Sequence, residues 1–342
     1  MKLGVGPFTG QVSPWDDRSH ERLYAEMVDL ARTADEVGLD SVWVSEHHFV
    51  DDGYISAPLA VLGGLATATS DIEIGSSIVL APLHDPIRVA EDAAAIDLLS
   101  GGRFTLGLGL GYRTEEFEAF GVPRRERAPR MADAVKTIRG ALGPGPLDYD
   151  PEFHDAGPDV TVTPEPASEV PVVLAGGAPP AVRRAGRLGD GWLALPGESI
   201  AGLRARVDDI EAAREEADVD RRFTVYPGAR GYVGESREHA WETMKDGYFY
   251  TLSKYGEFGL EGLEAFAAAD SVGDLPEAAR EQMREQAVFG SPEQVVEELS
   301  AYREALGDDA HFVLRTFVPG MDAADLDAGL RRLGEEVAPH LR

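Results

Sequence analysis

The sequence predicts an α/β fold, a (β/α)8 TIM barrel with insertions, built as a single domain over residues 1–342. Three observations predict it. Short apolar runs alternate with helix-like segments along almost the whole chain, which is the pattern of a parallel sheet wound with helices. The length of 342 residues suits such a barrel, and a hydrophobic fraction of 43% can fill a large core. The competing architecture, an open doubly wound sheet, would carry a GxGxxG turn between its first strand and first helix, and none is present there.

Each element follows from local chemistry. LGVGPF (3–8) is an apolar run ending in turn residues, a first buried strand. From Ser19 to Val37 the residues Leu23, Met27, Leu30, Ala31 and Ala34 recur at helical spacing, and Gly38 suits a left-handed terminus. Residues 40–45 form a second strand, and a helix runs from Pro58 to Ala68. IEIGSSIVLA (72–81) is a third strand, followed by a helix from Pro86 to Leu99. RFTLGLGLG (103–111) is a fourth strand whose alternating glycines permit close approach of a backbone or ligand. A helix spans Arg125 to Leu142, and the Pro- and Gly-rich stretch 143–169 reads as an excursion or small hairpin.

The rhythm then repeats. VPVVLAG (170–176) is a fifth strand leading into a helix that starts with Pro179 and Pro180. DGWLAL (190–195) is a sixth strand, with a helix over about 199–217. RFTVYPGARGYV (222–233) is a seventh, and a long helix starts near Ser236. Residues 256–289 are polar and helical in pattern, a lid or insertion. A helix covers 291–306, HFVLRTF (311–317) is the eighth strand, and a helix from Ala323 to Leu341 closes the chain.

Charge narrows the partners. The net charge of −29 repels nucleic acid and anionic lipid, which excludes both as main partners. Basic residues comprise four lysines, Lys2, Lys136, Lys245 and Lys254, against 28 arginines. A carboxylate-rich, lysine-poor surface matches a halophilic protein, because screening over about 3 Å at 1 M salt removes self-repulsion. No apolar run is long enough to cross a membrane, and the first residues do not have the form of a secretory signal, so a cytoplasmic location is expected. The absence of cysteine excludes disulfides, thiolate metal sites and cysteine nucleophiles. No HExxH or similar spacing among the eight histidines indicates a metal site.

In a barrel the chemistry sits at the C-terminal ends of the strands. Two ends stand out. Glu46-His47-His48-Phe49 puts a carboxylate, two imidazoles and a ring at one mouth. An imidazole there can exchange protons near neutral pH, or one histidine packs while the other caps a loop; the residues alone leave both open. Ala175-Gly176-Gly177-Ala178 places backbone N–H groups directly before a helix, which suits a phosphate dianion or is an ordinary strand-to-helix turn.

At this point the chain resembles the bacterial-luciferase-like superfamily. The resemblance rests on 38–49 (GLDSVWVSEHHF), 74–78 (IGSSI), 84–86 (HDP), 97–104 (DLLSGGRF), 107–111 (GLGLG), 116–121 (EFEAFG), 171–177 (PVVLAGG) and 189–192 (GDGW), in this order and nearly end to end. The family consists of barrels that bind reduced FMN or the deazaflavin F420. The resemblance implies that His47 is the active-site histidine beside the ring, with Glu46 and His48 as supports. It also implies a non-prolyl cis peptide at Ser77–Ile78 beneath the ring. Leu110, Gly111 and Tyr112 would line the ring or phosphate, and Gly176, Gly177 and Ala178 the phosphate turn. Leu110 stands where luciferase proper has a phosphate-binding arginine, and Gly176, Gly177 and Pro180 replace its acidic and hydroxyl residues. Light-emitting aldehyde oxidation is therefore not implied.

The resemblance implies a two-component monooxygenase that uses O2 and reduced FMN from a separate flavin reductase, acting on a small organic substrate. The alternative is an F420-dependent hydride-transfer oxidoreductase. A non-catalytic flavin-binding protein is a third class, against which His47 argues. Family members usually pair through helices flanking strands 2 to 4, so a homodimer through the Ala-rich segments 57–68 and 89–99 is expected.

Overall fold

The computed structural model describes residues 1–154 and 159–342. The elements follow in chain order as β1 (Lys2–Phe8), α1 (His20–Glu36), β2 (Ser41–Val44), α2 (Pro58–Ala68), β3 (Glu73–Ser76), β4 (Val79–Leu80) and α3 (Pro86–Ser100). Then come β5 (Phe104–Gly109), α4 (Thr114–Ala119), α5 (Arg127–Leu142), β6 (Val172–Ala175), α6 (Pro179–Leu188), β7 (Gly191–Leu193) and α7 (Ile200–Glu216). The last part comprises β8 (Thr224–Tyr226), β9 (Gly228–Val233), α8 (Arg237–Glu257), α9 (Glu264–Ala267) and α10 (Glu277–Glu285), then β10 (Ala287–Gly290), α11 (Pro292–Leu306), β11 (His311–Arg315), α12 (Ala323–Arg332) and α13 (Ala338–Leu341).

The helices start where the sequence supplies caps. Ser19 accepts from the Arg22 N–H ahead of α1, and Asp85 accepts from Ile87 and Arg88 ahead of α3 with Pro86 in its first turn. Ser291 and Gln294 cap α11 reciprocally. The strands are almost wholly buried, which is why they read as apolar runs rather than alternating ones.

Every strand pairing is parallel, giving a mixed α/β fold around one curled sheet. β1 lies between β11 and β2; β3, β5, β6, β7 and β8 follow in order beyond β2. β9 pairs with β11 and β10. Only Pro227 separates β8 from β9, and its carbonyl accepts the Val313 N–H of β11 at 2.9 Å. An inner cluster of Trp43, Val173, Leu193, Tyr226 and Val313 fills the concave side. A larger core joins the strands to the helices.

Three expectations need correction. The third run is interrupted: β3 pairs with β5 up to Gly75, and β4 resumes the pairing at Val79. Between them the Ser76 hydroxyl donates to Gly107 O and accepts from Gly107 N, bridging the gap. A Cβ at Gly107 would lie 1.9 Å from Ser76 O, so the glycine of the fourth run serves close approach of a backbone. The seventh run is split at Pro227, which has no N–H for the ladder. The segment 256–289 is not uniformly helical, because Ala287–Gly290 joins the sheet. In 143–169 the described residues form neither helix nor strand, and 155–158 lie outside the described residues. No helix among the described residues is long and apolar enough to cross a membrane.

Candidate active site

Because the strands pair in parallel, Ser45–Phe49 beyond β2 and Gly176–Ala178 beyond β6, with Ala175 as the last residue of that strand, emerge at the same rim. His47 is buried there, with its ring centroid 4.9 Å from that of Tyr54, 5.6 Å from Tyr112 and 5.4 Å from Phe258. The Tyr54 hydroxyl donates to Ser45 Oγ at 2.9 Å and lies 3.1 Å from the Tyr255 hydroxyl. Burial raises the Tyr54 phenol well above its usual range, so it stays protonated.

The partner that orients His47 is Glu116 on α4. Its Oε1 lies 2.8 Å from His47 Nδ1, accepts the His48 backbone N–H at 2.9 Å, and takes Arg113 Nη1 at 3.3 Å. Burial alone would raise the Glu116 carboxyl; the His47 hydrogen bond and charge, the His48 N–H and Arg113 outweigh it and hold the group below its ordinary value. A carboxylate on Nδ1 fixes the tautomer with the Nδ1 proton and leaves Nε2 for chemistry. Arg113 also donates to His48 O, and its guanidinium stacks 4.2 Å over the Phe258 ring. Phe258, in the expected lid segment, thus closes directly onto this dyad.

Glu46 and His48 form a separate cluster. Glu46 Oε1 accepts from His48 Nε2 at 2.6 Å and His84 Nε2 at 2.7 Å, and Oε2 accepts the Leu80 N–H at 2.7 Å. Burial opposes ionisation, yet the hydrogen bonds from His48 and His84 hold the Glu46 carboxyl down at about 2. The His84 imidazole is likewise raised by Glu46 against its burial. The three side chains have metal-ligand character and converge within 4.8 Å, although the sequence indicated no metal site. Here the two imidazoles and the carboxylate already satisfy one another, holding the β2 corner against β4.

The Ser77–Ile78 bond is cis. Ile78 and Ala175 pack against the same inner cluster, which brings the β3–β4 break and the glycine turn to one interior. Gly176 has φ +143°, open only to glycine, and Trp192 Nε1 donates to its carbonyl at 2.8 Å. No side chain caps the start of α6. Its first two residues, Pro179 and Pro180, have no N–H, and the Ala181 and Val182 N–H groups donate to Ala178 O. Among the described residues, the N–H groups left for another acceptor are therefore those of Gly177 and Ala178 in the turn itself. Leu110 packs against the main core, Gly111 turns at φ +68°, and Tyr112 faces His47.

These residues fit a ring with a phosphate tail. Two buried polar atoms, Tyr112 Oη and Glu116 Oε2, have no protein partner among the described residues, and the N–H groups of Gly177 and Ala178 ahead of α6 add anion donors. A cavity of about 730 Å³ opens instead at the opposite rim, lined by residues that include Glu73, Arg103, Asp190, Arg221 and His311. It holds no proton-exchanging group of comparable kind: burial, with Lys2 nearby, keeps the His311 imidazole down at about 3. Parallel sheets also place their ligands at the other end of the strands.

Sequence reasoning missed Glu116 as a site residue, although it lies just past the fourth strand's end. It also missed Arg230 and Arg315, two cations inside strand-like runs. The profile of the luciferase-like monooxygenase family matches residues 6–309. The oxygenase component of a flavin-dependent trigonelline monooxygenase from Acinetobacter baylyi is 27% identical over 338 residues, covering 95% of this chain and 91% of the relative. An F420-dependent glucose-6-phosphate dehydrogenase from Kineococcus radiotolerans is 32% identical over 240 residues, 66% of this chain and 67% of the relative. The fold matches a monooxygenase crystal structure from Streptomyces bottropensis at TM-score 0.82 and 23% identity, covering 100% of both chains. With its parallel sheet, its His47–Glu116 dyad and this match over most of its length, the chain belongs to the luciferase-like monooxygenase family.

Proposed function

We propose that this protein is a two-component monooxygenase that takes reduced FMN from a separate flavin reductase and uses O2 on a small organic substrate. The observation that carries the reading is His47, held through Nδ1 by buried Glu116, at the rim shared with the Gly176–Gly177 turn. Bound reduced FMN would supply the electrons for oxygen activation, whereas bound F420 would exchange a hydride with substrate. Gly176, Gly177 and Ala178 would hold the phosphate, with Ala175 beneath them. Ser77, Ile78, Leu110, Gly111 and Tyr112 would hold the ring.

His47 Nε2 would donate or accept the proton at the reacting oxygen, while Glu116 keeps the imidazole in one tautomer. Glu46 and His48 act as supports. Phe258, just beyond α8 and within the expected lid segment 256–289, covers His47 and excludes water together with Tyr255 near the end of α8, which lies outside that segment. The F420 reading uses the same dyad as the acid–base pair for a substrate alcohol or carbonyl, and the F420-dependent relative favours keeping it as the alternative.

The proposal includes a closed (β/α)8 barrel over a single domain. The near-continuity of β8 and β9 across Pro227 supports closure, since β8 pairs with β7 and β9 with β11. It also includes a cytoplasmic halophilic homodimer. The charge of −29 with four lysines supports the first part, and Leu98 and Leu99, exposed on α3, support the second. Loss of fold in dilute buffer and recovery in concentrated salt is the expected sign of the halophilic character.

Titration with reduced FMN and with F420, at matched high salt, tests the function. One cofactor should bind, and His47→Ala should then lower turnover while leaving binding largely intact. Absence of binding by both would overturn the reading.

A further inference from the structure

Two guanidiniums in the chamber beside His47 have no carboxylate to neutralise them. Arg230 on β9 and Arg315 at the end of β11 are register partners in the parallel ladder, so they stand side by side on neighbouring strands. Like charges so placed repel. Arg230 is 7% exposed. Its Cζ lies 5.3 Å from the Tyr248 ring centroid and 5.7 Å from that of Tyr255. Arg315 Nη2 reaches Ser77 Oγ at 3.3 Å. Among the described residues neither arginine forms an ion pair, in a chain with 61 acidic residues. Arg113, as buried as Arg230, has Glu116 instead.

Removing a charge from water without a counter-charge is costly, and burial indeed pushes the Arg315 guanidinium pKa down. Such a pair persists where a ligand completes it. Two planar forks present parallel N–H donors that match the two oxygens of a carboxylate. The unpartnered Tyr112 hydroxyl adds a donor, and the Tyr54, Tyr255 and Phe258 rings supply an apolar wall for the rest of the molecule.

We propose that Arg230 and Arg315 form the anion subsite of the substrate pocket, so that the enzyme acts on a small organic carboxylate. This rests on the reading of the rim as the cofactor and substrate site. The carboxylate is held at the strand 7 and 8 side of the rim, which leaves the remainder of the substrate beside His47.

The test is calorimetric titration of the full chain, in matched salt, with benzoate, cinnamate and hexanoate, each against its amide. The wild type should bind at least one acid about tenfold more tightly than its amide. That preference should disappear in Arg230→Met and in Arg315→Met, and weaken in Arg230→Lys and Arg315→Lys, which keep the charge but lose the fork. If a Met variant does not fold, the corresponding Lys variant decides. Equal binding of acid and amide, no acid binding up to about 10 mM, or a preference that survives these substitutions would overturn the proposal. Reduced FMN and F420 are titrated into the same variants. Cofactor binding should be unchanged; if it is lost while the acid preference remains, the arginines serve the ring instead and the proposal fails. A wild type that prefers acids yet binds neither cofactor would sink the cofactor reading and leave the anion subsite standing.

Discussion

Replacing Glu116 with Gln keeps the side chain's size and removes its charge. Glu116 is fully buried and collects three donors on Oε1: His47 Nδ1, the His48 N–H and Arg113 Nη1. Each hydrogen bond to a charged group contributes about 1.5–3 kcal/mol, of which a neutral amide oxygen keeps part. Arg113, itself 7% exposed, is left without a counter-charge. Removing one member of a buried pair costs about 3–5 kcal/mol, so we expect a stability loss of about 3 kcal/mol. The sign with pH follows from the depressed carboxyl: its contribution is present above the ordinary carboxylate range and is lost as pH falls through the lowered value. For turnover, the wrong imidazole tautomer becomes accessible, and kcat should drop about 10²-fold with KM little changed. Steady-state kinetics below the variant's melting temperature, with denaturant unfolding alongside, read both effects. A variant that loses stability but keeps the wild-type kcat and pH profile would reduce Glu116 to a packing residue and refute the dyad.

The remaining predictions concern the neighbouring structure. Glu46→Gln should destabilise by about 3 kcal/mol, since it strips the carboxylate from His48 and His84. Glu46, down at about 2, contributes above its ordinary 4.5 and loses that as pH falls toward 2; His84, raised, contributes below its ordinary 6.5 and loses that as pH rises through its raised value. The difference between wild type and variant should therefore be greatest near about pH 5–6, and a pH-independent difference would contradict the ion pairing. Gly107→Ala sets a Cβ 1.9 Å from Ser76 O and should cost about 3 kcal/mol by denaturant unfolding. A cost below about 1 kcal/mol would mean that the β3–β5 gap yields easily.

Much of the fold was legible because fully buried parallel strands appear as apolar runs and their helices carry plain caps. What escaped was local. AVFG at 287–290 is too short to separate from the polar helical pattern before it, and its strand state comes from pairing with β9. The split at Pro227 was visible in principle, since proline cannot donate to a ladder. For the site, strand polarity alone singled out His47 and the Gly176 turn. It could not separate His47 from His48, whose opposite surroundings come from adjacent residues facing opposite ways. Glu116 was hidden because its role depends on α4 folding back over the β2 corner. Arg315 left a signal that was overlooked: a charge at the end of HFVLR, an otherwise apolar run.

A crystal structure of the protein with its bound cofactor tests the central claim most directly. The ring should lie against Ile78 and Tyr112 within hydrogen-bond reach of His47, and the phosphate should sit on the N–H groups of Gly176 to Ala178. A cofactor found instead in the cavity at the far end of the strands, beside Arg103, Asp190 and His311, would contradict the account.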